Sequence, residues 1–473
     1  MDNLEIDRIV EEVVRKIKDN EAFKSIEETD ISAQPEDIDR LVAIAHAAQN
    51  EYRELGLEIR KSAIDAMRKI ALEYANELGN MAVSETGFGK MPDKSCKIVL
   101  VAKKTPGTEN LNPLSFSGDN GLTIVEMAPY GVILSITPST NPPSTIINNA
   151  ISIIAGGNAV IFQAHPSAKN VSARTTELLR QAISSVGIPI DVIQCVENPT
   201  IETAGILMHH HDIDLVVVTG GMGVVNAALN CGKKAICAGP GNPPVIVDET
   251  ADIKKAAQDV VAGASFDNGV LCTAEKETFV VESIADEFIR EMRNAGAFQL
   301  SPKDGEKITD MVIEDDSDAK GERHPIVNKE FVGKNATEIA KAAGIDTGDR
   351  APLLFFETEW DHPFVMAEQL MPVMPVVRVP DVNEAIRLAI LAEHRFKHSF
   401  IMHSKNIERL SRMARACKAS IFVKNGPSYA GLGYNGEGFA TLTIAGTTGE
   451  GTTSARNFVR PRRCVIVDYF RIV

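Results

Sequence analysis

The stretch Gly131-Val-Ile-Leu-Ser-Ile-Thr-Pro-Ser-Thr-Asn-Pro-Pro-Ser144 is a short Val/Ile strand that ends in a proline-rich turn and opens a helix. The same texture continues outward from it. Strands are expected at Gly131–Thr137, Ala159–Gln163, Asp191–Val196 and Leu215–Thr219, with helices near Ser144–Ile154, Ala168–Ser185 and Met222–Leu229. Strand, helix, strand at this spacing means a parallel, doubly wound α/β sheet. A second series follows, with strands at Val245–Asp248, Thr278–Glu282, Leu353–Glu357, Val376–Val379, Ser399–His403 and Ile421–Asn425. Its helices fall at 252–263, 284–294, 382–391 and 405–414. We read this as a second α/β domain beginning near Ala238. A chain of 473 residues is too long for one ordinary core, which agrees with two domains.

The flanks differ. From Asp37 to about Lys104 the pattern is helical, dominated by Ala, Leu, Glu and Lys. Residues 302–350 are charged and without clear period, and read as a surface excursion. The end, Phe439–Val473, is rich in Thr and Gly and then apolar in Arg463–Asp468, a strand of the kind that completes a sheet in a neighbouring domain or subunit. At the start, Leu4, Ile6, Ile9, Val10, Val13, Val14 and Ile17 recur mostly at spacings of 3 and 4 among charged residues, an amphipathic helix. A polar stretch up to Glu36 follows it as a linker.

Composition excludes several classes. Hydrophobic residues make up 44% and charged residues 24%, and no apolar run reaches the roughly 18 to 20 residues of a membrane helix. The formal charge of -15 argues against a nucleic-acid partner. Seven cysteines (96, 195, 231, 237, 272, 417 and 464) without CxxC spacing fit a reducing compartment better than disulfides or zinc. The run His209-His210-His211 reads as solvated surface, and no metal site is expected.

Cys272 lies in Ser265-Phe-Asp-Asn-Gly-Val-Leu-Cys-Thr-Ala-Glu-Lys276, between a helix and a strand. A thiol in such a loop can meet a substrate, and thiolate is a nucleophile useful near neutral pH. Spacing alone leaves two readings open, a nucleophile and a packed cysteine.

Four ordered motifs resemble the aldehyde dehydrogenase superfamily over nearly the whole body of the chain. They are Ile136-Thr-Pro-Ser-Thr-Asn-Pro-Pro143, Gly157-Asn-Ala-Val-Ile-Phe-Gln-Ala-His-Pro-Ser167, Val218-Thr-Gly-Gly-Met-Gly223 and Glu368-Gln-Leu-Met-Pro-Val373, with Cys272 between the third and fourth. The resemblance implies Cys272 as nucleophile and Asn141 as amide donor to the oxyanion, a role suited to a group with no proton to lose. It also implies a nicotinamide site formed by Thr137, Pro138, Ser139, His165, Thr219, Gly220, Gly221, Gly223, Ala238 and Glu368. The glycine turn is not a GxGxxG fingerprint, since Asn226 stands at the third position. The implied architecture is two doubly wound α/β domains plus a small oligomerisation arm. Residues 1–20 are then a targeting helix and 21–36 a linker. Residues 37–237, with part of the tail, form the cofactor domain, 238–438 the catalytic domain, and 439–473 the tail with its oligomerisation strand.

Hydrolytic members resemble one another in a Glu-Leu-Gly-Gly segment whose Glu activates water. Here the matching stretch is Ile236-Cys-Ala-Gly-Pro-Gly-Asn-Pro-Pro244, with Cys237 at the Glu position. Without a base a thioester hydrolyses slowly, yet it still exchanges with a thiol. The resemblance is thus to the CoA-acylating subgroup, which includes microcompartment propionaldehyde and acetaldehyde dehydrogenases and clostridial butyraldehyde dehydrogenase. It shares His165-Pro166 and the tail Gly438–Phe458. The implied reaction takes a short-chain aldehyde and CoA to acyl-CoA through acyl-Cys272, with NAD as hydride acceptor and NADP left open. Implied partners are shell proteins bound through residues 1–20 and further copies of the chain in a homodimer or homotetramer. The implied location is the bacterial cytoplasm, inside a microcompartment. The chain departs from the subgroup in Gly269-Val270-Leu271 before the cysteine and in Met222, and the former bears on aldehyde preference. The alternatives are a hydrolytic NAD(P)-dependent enzyme and a non-catalytic shell-binding protein with this fold.

Overall fold

The computed structural model describes residues 35–317, 323–348 and 351–472. The expected helix 1–20 and linker residues 21–34 lie outside them. The chain divides into two compact units, 1–40 and 41–473, and both large sheets belong to the second. The helical region runs α1 (Pro35–Tyr52), α2 (Leu57–Glu73), α3 (Ala75–Thr86) and α4 (Asp93–Lys104), so it begins two residues before the expected Asp37. On α4 the buried stripe is Lys94, Lys97, Ile98 and Val101, an i, i+3, i+4, i+7 set that includes two lysines.

A hairpin, β1 (Leu114–Gly118) and β2 (Gly121–Pro129), leads into the first parallel sheet. That sheet is built from β3 (Val132–Ile136), α5 (Pro142–Ala155), β4 (Ala159–Gln163), α6 (Lys169–Ser184), β5 (Ile193–Cys195), α7 (Ile201–His209), β6 (Leu215–Thr219), α8 (Met222–Leu229) and β7 (Lys234–Ala238). The order is β5-β4-β3-β6-β7, so the winding reverses between β3 and β6. Every residue of β3 and β4 is buried, which is why they read as mainly apolar runs, broken only by Ser135 and Gln163, rather than alternating ones. All fourteen residues of α5 are buried too, and each of its isoleucines contributes about 1.5–3 kcal/mol by leaving water. Helix α7 and strand β7 were not anticipated. The boundary expected near Ala238 falls on the last residue of β7.

The second sheet has the order β10-β13-β14-β9-β8-β15-β16, with every pair parallel. Its first elements are β8 (Pro244–Val247), α9 (Ile253–Ser265), β9 (Glu277–Val281), α10 (Glu282–Asn294) and β10 (Phe298–Gln299). Residues 302–350, expected to be a surface excursion, instead carry α11 (Pro302–Val312), the hairpin β11 (Ile313–Ser317) and β12 (Arg323–Val327), and α12 (Ala336–Ala342). Ile308, Val312, Ile339 and Ala340 pack with Leu354, Phe356, Phe364 and Val373 in one apolar cluster. Too few apolar positions are spread over two short helices for periodicity to show it. The sheet ends with β13 (Leu354–Glu357), α13 (Pro363–Met366), β14 (Val373–Val379), α14 (Val382–Ala392), β15 (Ser399–His403), α15 (Ile407–Cys417) and β16 (Ile421–Lys424).

The tail forms a two-stranded ladder, β17 (Ile444–Ala445) and β18 (Gly451–Thr452), and a long strand, β19 (Val459–Val467). It is stitched to the first sheet by buried amides. Asn148 Nδ2 donates to the Ala440 carbonyl and its Oδ1 accepts from the Leu442 N–H, while Asn149 Oδ1 accepts from Thr443 Oγ1. Strand β19 then pairs antiparallel with β2 over nine residues, from Val459 opposite Pro129 to Val467 opposite Gly121. The resulting sheet, β1-β2-β19, exposes Leu114, Phe116, Val465 and Val467. No helix among the described residues is long and apolar enough to cross a membrane.

Candidate active site

Helix α9 ends in a turn whose three consecutive residues, Asp267 (φ 49), Asn268 (φ 56) and Gly269 (φ 70), are all left-handed. This conformation costs L-residues about 1–2 kcal/mol each, least for Asp and Asn. Side-chain bonds offset it. Asn268 Nδ2 donates to the Gly333 carbonyl at 2.9 Å, and the fully buried Asp267 carboxylate accepts from the Lys90 N–H at 2.9 Å and from Lys94 Nζ at 3.0 Å. Lys97 Nζ bonds the same carboxylate. Gly89 (φ +76) faces this group, and a Cβ there would lie 2.0 Å from Asp267 Oδ1.

The turn delivers Cys272, the half-buried thiol expected to be the nucleophile. Val270 and Leu271, which precede it, are buried. Beneath it Lys276, itself buried, donates Nζ to the carbonyls of Gly269, Leu271 and Ala274 at 3.0–3.2 Å, so one ammonium pins both ends of the loop. Burial, helped by the Glu368 carboxylate, pushes the Cys272 thiol up to about 12, while Lys276 and Lys97 pull the other way. Burial raises Glu368 to about 7, opposed by Lys276 and by the Gly241 N–H, which donates to its Oε1 at 3.0 Å. Gly241 is a point of close backbone approach. A Cβ there would lie 2.6 Å from the Cys272 carbonyl oxygen and 2.9 Å from the His398 ring. His398 is buried with Nε2 unpartnered, and burial together with Lys276 pushes it down to about 3, so it is neutral.

Asn141 stands immediately before α5, its side chain making no capping bond to the helix, and is buried. Its Oδ1 accepts from Lys97 Nζ and its Nδ2 donates to Thr140 Oγ1 at 3.1 Å. Lys94 Nζ also donates to the Thr140 carbonyl, at 2.6 Å. The loop that carries Asn141 and the loop that carries Cys272 are therefore joined through two lysines of α4. Beside the junction Phe266, Tyr429 and Tyr434 form an aromatic trio with ring centroids 5.3–5.5 Å apart.

The residues expected to hold the nicotinamide cofactor line the carboxyl edge of the first sheet. Thr137, Pro138 and Ser139 follow β3, His165 follows β4, Thr219 ends β6, Gly220 and Gly221 lead from it into α8, and Ala238 ends β7. Thr137 and Thr219 thus stand at the winding switch, where crevices open in such sheets. The Gly220 N–H donates to the Ala238 carbonyl at 3.1 Å, and Gly221 and Gly223 face open space. Thr137 Oγ1 is buried without a partner, an orphan donor in this crevice. Such an edge, with free amides at a helix start, fits a dinucleotide. His165 is exposed, and its Nδ1 accepts from the Ser167 N–H at 3.2 Å, so it caps the turn after β4. Cys237 is buried in β7, where burial and Glu450 push its thiol up to about 11. His210, His211 and Asp212 cluster within 4.8 Å at the opposite edge, before β6 begins.

Sequence reading passed over Lys94, Lys97, Lys276, Gly241 and His398. The lysines of α4 carried a usable signal, because they occupy apolar-stripe positions where a solvated lysine does not belong. The others depend on contacts across more than 30 residues or on a loop path with no sequence period.

With this geometry in place the comparisons are direct. The aldehyde dehydrogenase family matches residues 15–438, and the chain belongs to that family. The particular relatives are acylating ones. The chain is 48% identical to acetaldehyde dehydrogenase (acetylating) EutE of Salmonella typhimurium over 476 residues, covering 100% of each. It superposes on a propionaldehyde dehydrogenase from the Clostridium phytofermentans fucose utilisation microcompartment with TM-score 0.88 and 43% identity, covering 92% of this chain and 98% of that one. A propionaldehyde dehydrogenase of Rhodopseudomonas palustris, solved with bound CoA and an acylated cysteine, matches with TM-score 0.87 and 44% identity over 91% of this chain and 97% of that one.

Proposed function

We infer that the protein oxidises a short-chain aldehyde to its acyl-CoA, with NAD as hydride acceptor and CoA as acyl acceptor. Cys272, its thiol proton released to solvent, adds to the aldehyde carbonyl carbon, and the negative charge that develops on oxygen is met by the Asn141 amide. Thr137, Thr219, Gly220 and Gly221 at the carboxyl edge of the first sheet would hold NAD, which would supply the acceptor for the hydride of that carbon. The carbon is left as a thioester on Cys272, and the CoA thiol then displaces Cys272. One thioester replaces another, so the second half is near balance and the reaction is reversible.

The observation that carries acyl transfer over hydrolysis is Cys237. A thiol buried in β7 and pushed up to about 11 by burial and the Glu450 carboxylate cannot do what a carboxylate does to water. Steady-state NADH formation with two- to four-carbon aldehydes tests this. A missing general base is worth about 10²–10⁴ in rate, so omitting CoA is expected to slow the reaction at least about 100-fold. Equal rates with and without CoA would instead mean a hydrolytic enzyme.

Packaging and assembly extend the reading. The amphipathic pattern of residues 1–20 supports docking on a shell protein in a bacterial microcompartment, as in the organelle that houses the Clostridium relative. The exposed apolar sheet β1-β2-β19 supports a homodimer or homotetramer closed through that face. Two truncations separate these roles. Removing residues 1–20 is expected to abolish co-sedimentation with shell while activity stays within about 2-fold, since no site residue lies there. Removing 459–473 is expected to reduce the species seen by light scattering to a monomer. Retained sedimentation in the first case, or an unchanged mass in the second, sinks the corresponding role.

A further inference from the structure

We propose that Lys97 is a positioning residue that fixes which face of the Asn141 amide meets the reacting oxygen. The proposal rests on Asn141 being the oxyanion donor and goes one step behind it.

An asparagine amide is nearly symmetric in shape and opposite in polarity. A half-turn about its last bond exchanges a donor for an acceptor at almost no steric cost. At an oxyanion site that flip replaces attraction with repulsion, so something must forbid it. Lys97 does so, because its Nζ has only protons to offer and holds Asn141 Oδ1. One Nδ2 proton is then used on Thr140 Oγ1 at 3.1 Å, and one remains for the substrate.

The placement of Lys97 is itself over-determined. It is buried, and the Asp267 carboxylate accepts from it and from Lys94 together. Lys94 lies 3.0 Å from the same carboxylate, with its ammonium pushed down to about 7 by burial and the Lys97 charge, and it makes no bond to the Asn141 side chain. The second lysine gains its distinct role from its other partner, Asn141. Because Asp267 sits in the left-handed turn that delivers Cys272, a single ammonium links the nucleophile loop to the oxyanion amide. Their relative position then depends on two hydrogen bonds from one side chain rather than on the packing of two sheets alone.

A double-mutant cycle on the full chain tests this, reading kcat and KM for acyl-CoA formation together with the melting temperature. Lys97→Met is expected to lower kcat about 10- to 100-fold while KM for NAD and CoA stays within about 3-fold. In the Asn141→Ala background the same change is expected to cost no more than a further factor of about 3, because there is no amide left to orient. Lys97→Gln, which keeps a neutral donor and gives a second route should the Met variant not accumulate, is expected to show the same non-additivity on a smaller single effect. Losses that multiply in the double variants overturn the proposal and leave Lys97 as a structural cation. An Asn141→Ala variant with wild-type kcat overturns the oxyanion reading first and Lys97's role with it.

Discussion

Cys272→Ala is expected to lower the rate of acyl-CoA formation by on the order of 10⁴-fold or more, because no other group can form the thioester. The remaining thiols do not substitute. None of Cys96, Cys195, Cys231, Cys237, Cys417 and Cys464 lies in the turn that Lys276 pins. The loop itself should survive, since its bonds run through Asp267, Asn268 and backbone carbonyls rather than through the sulfur. A second readout checks the electrostatics. Burial and Glu368 hold the thiol protonated up to about 12, against about 8.5 for a free cysteine. Folding therefore gains from this group below about pH 8.5, and the gain is lost as pH rises toward 12, where the unfolded chain has already released its proton. The alanine variant lacks this dependence, so between about pH 9 and 11 its melting temperature should fall less steeply than that of the wild type. Alkylation of wild-type Cys272 by iodoacetamide should be slow at pH 8 and climb through the alkaline range. A Cys272→Ala enzyme retaining a tenth of the wild-type rate would end the nucleophile assignment.

The parts of the molecule legible in the sequence are those whose cause is local. Strands such as Val132–Ile136 and Ala159–Gln163 are buried on both faces, so their apolar runs announce them. The turn after β6 shows its glycines, and Cys272 and Asn141 are marked by the residues beside them. What escaped has non-local causes. Strands β1 and β2 alternate poorly because neither face is fully buried, and the partner of β2 lies more than 300 residues away in β19. Lys94 and Lys97 stand out of place in the apolar stripe of α4, but the reason for them is Asp267, some 170 residues on. Residues 302–350 look irregular because their short helices take their apolar partners from β13 and β14. Local pattern thus points to the proposed reacting groups, and tertiary contacts supply the side chains packed against them.

Asn141 is where the two levels meet, and its substitution carries the second large effect. Asn141→Ala removes one preorganised donor to the developing oxyanion, a loss of about 10²–10³ in kcat, or about 3–4 kcal/mol of transition-state stabilisation. KM for CoA should change little, because the amide acts where charge appears and not where CoA is held. Asn141→Asp is the sharper variant. It keeps the size of the side chain and leaves an oxygen for Lys97 to bind, so the fold at the start of α5 is preserved. Yet it has no proton to donate, and its own charge opposes the oxyanion, so its loss should equal or exceed that of alanine. A purely structural Asn141 predicts the reverse order, with aspartate tolerated as the near-isosteric partner of a buried lysine and alanine poor. Measuring kcat for both variants at one pH, alongside their melting temperatures, distinguishes the two. Aspartate at or near the wild-type rate would mean that the amide proton is not used, and that the bond between Lys97 and Asn141 only holds two loops together.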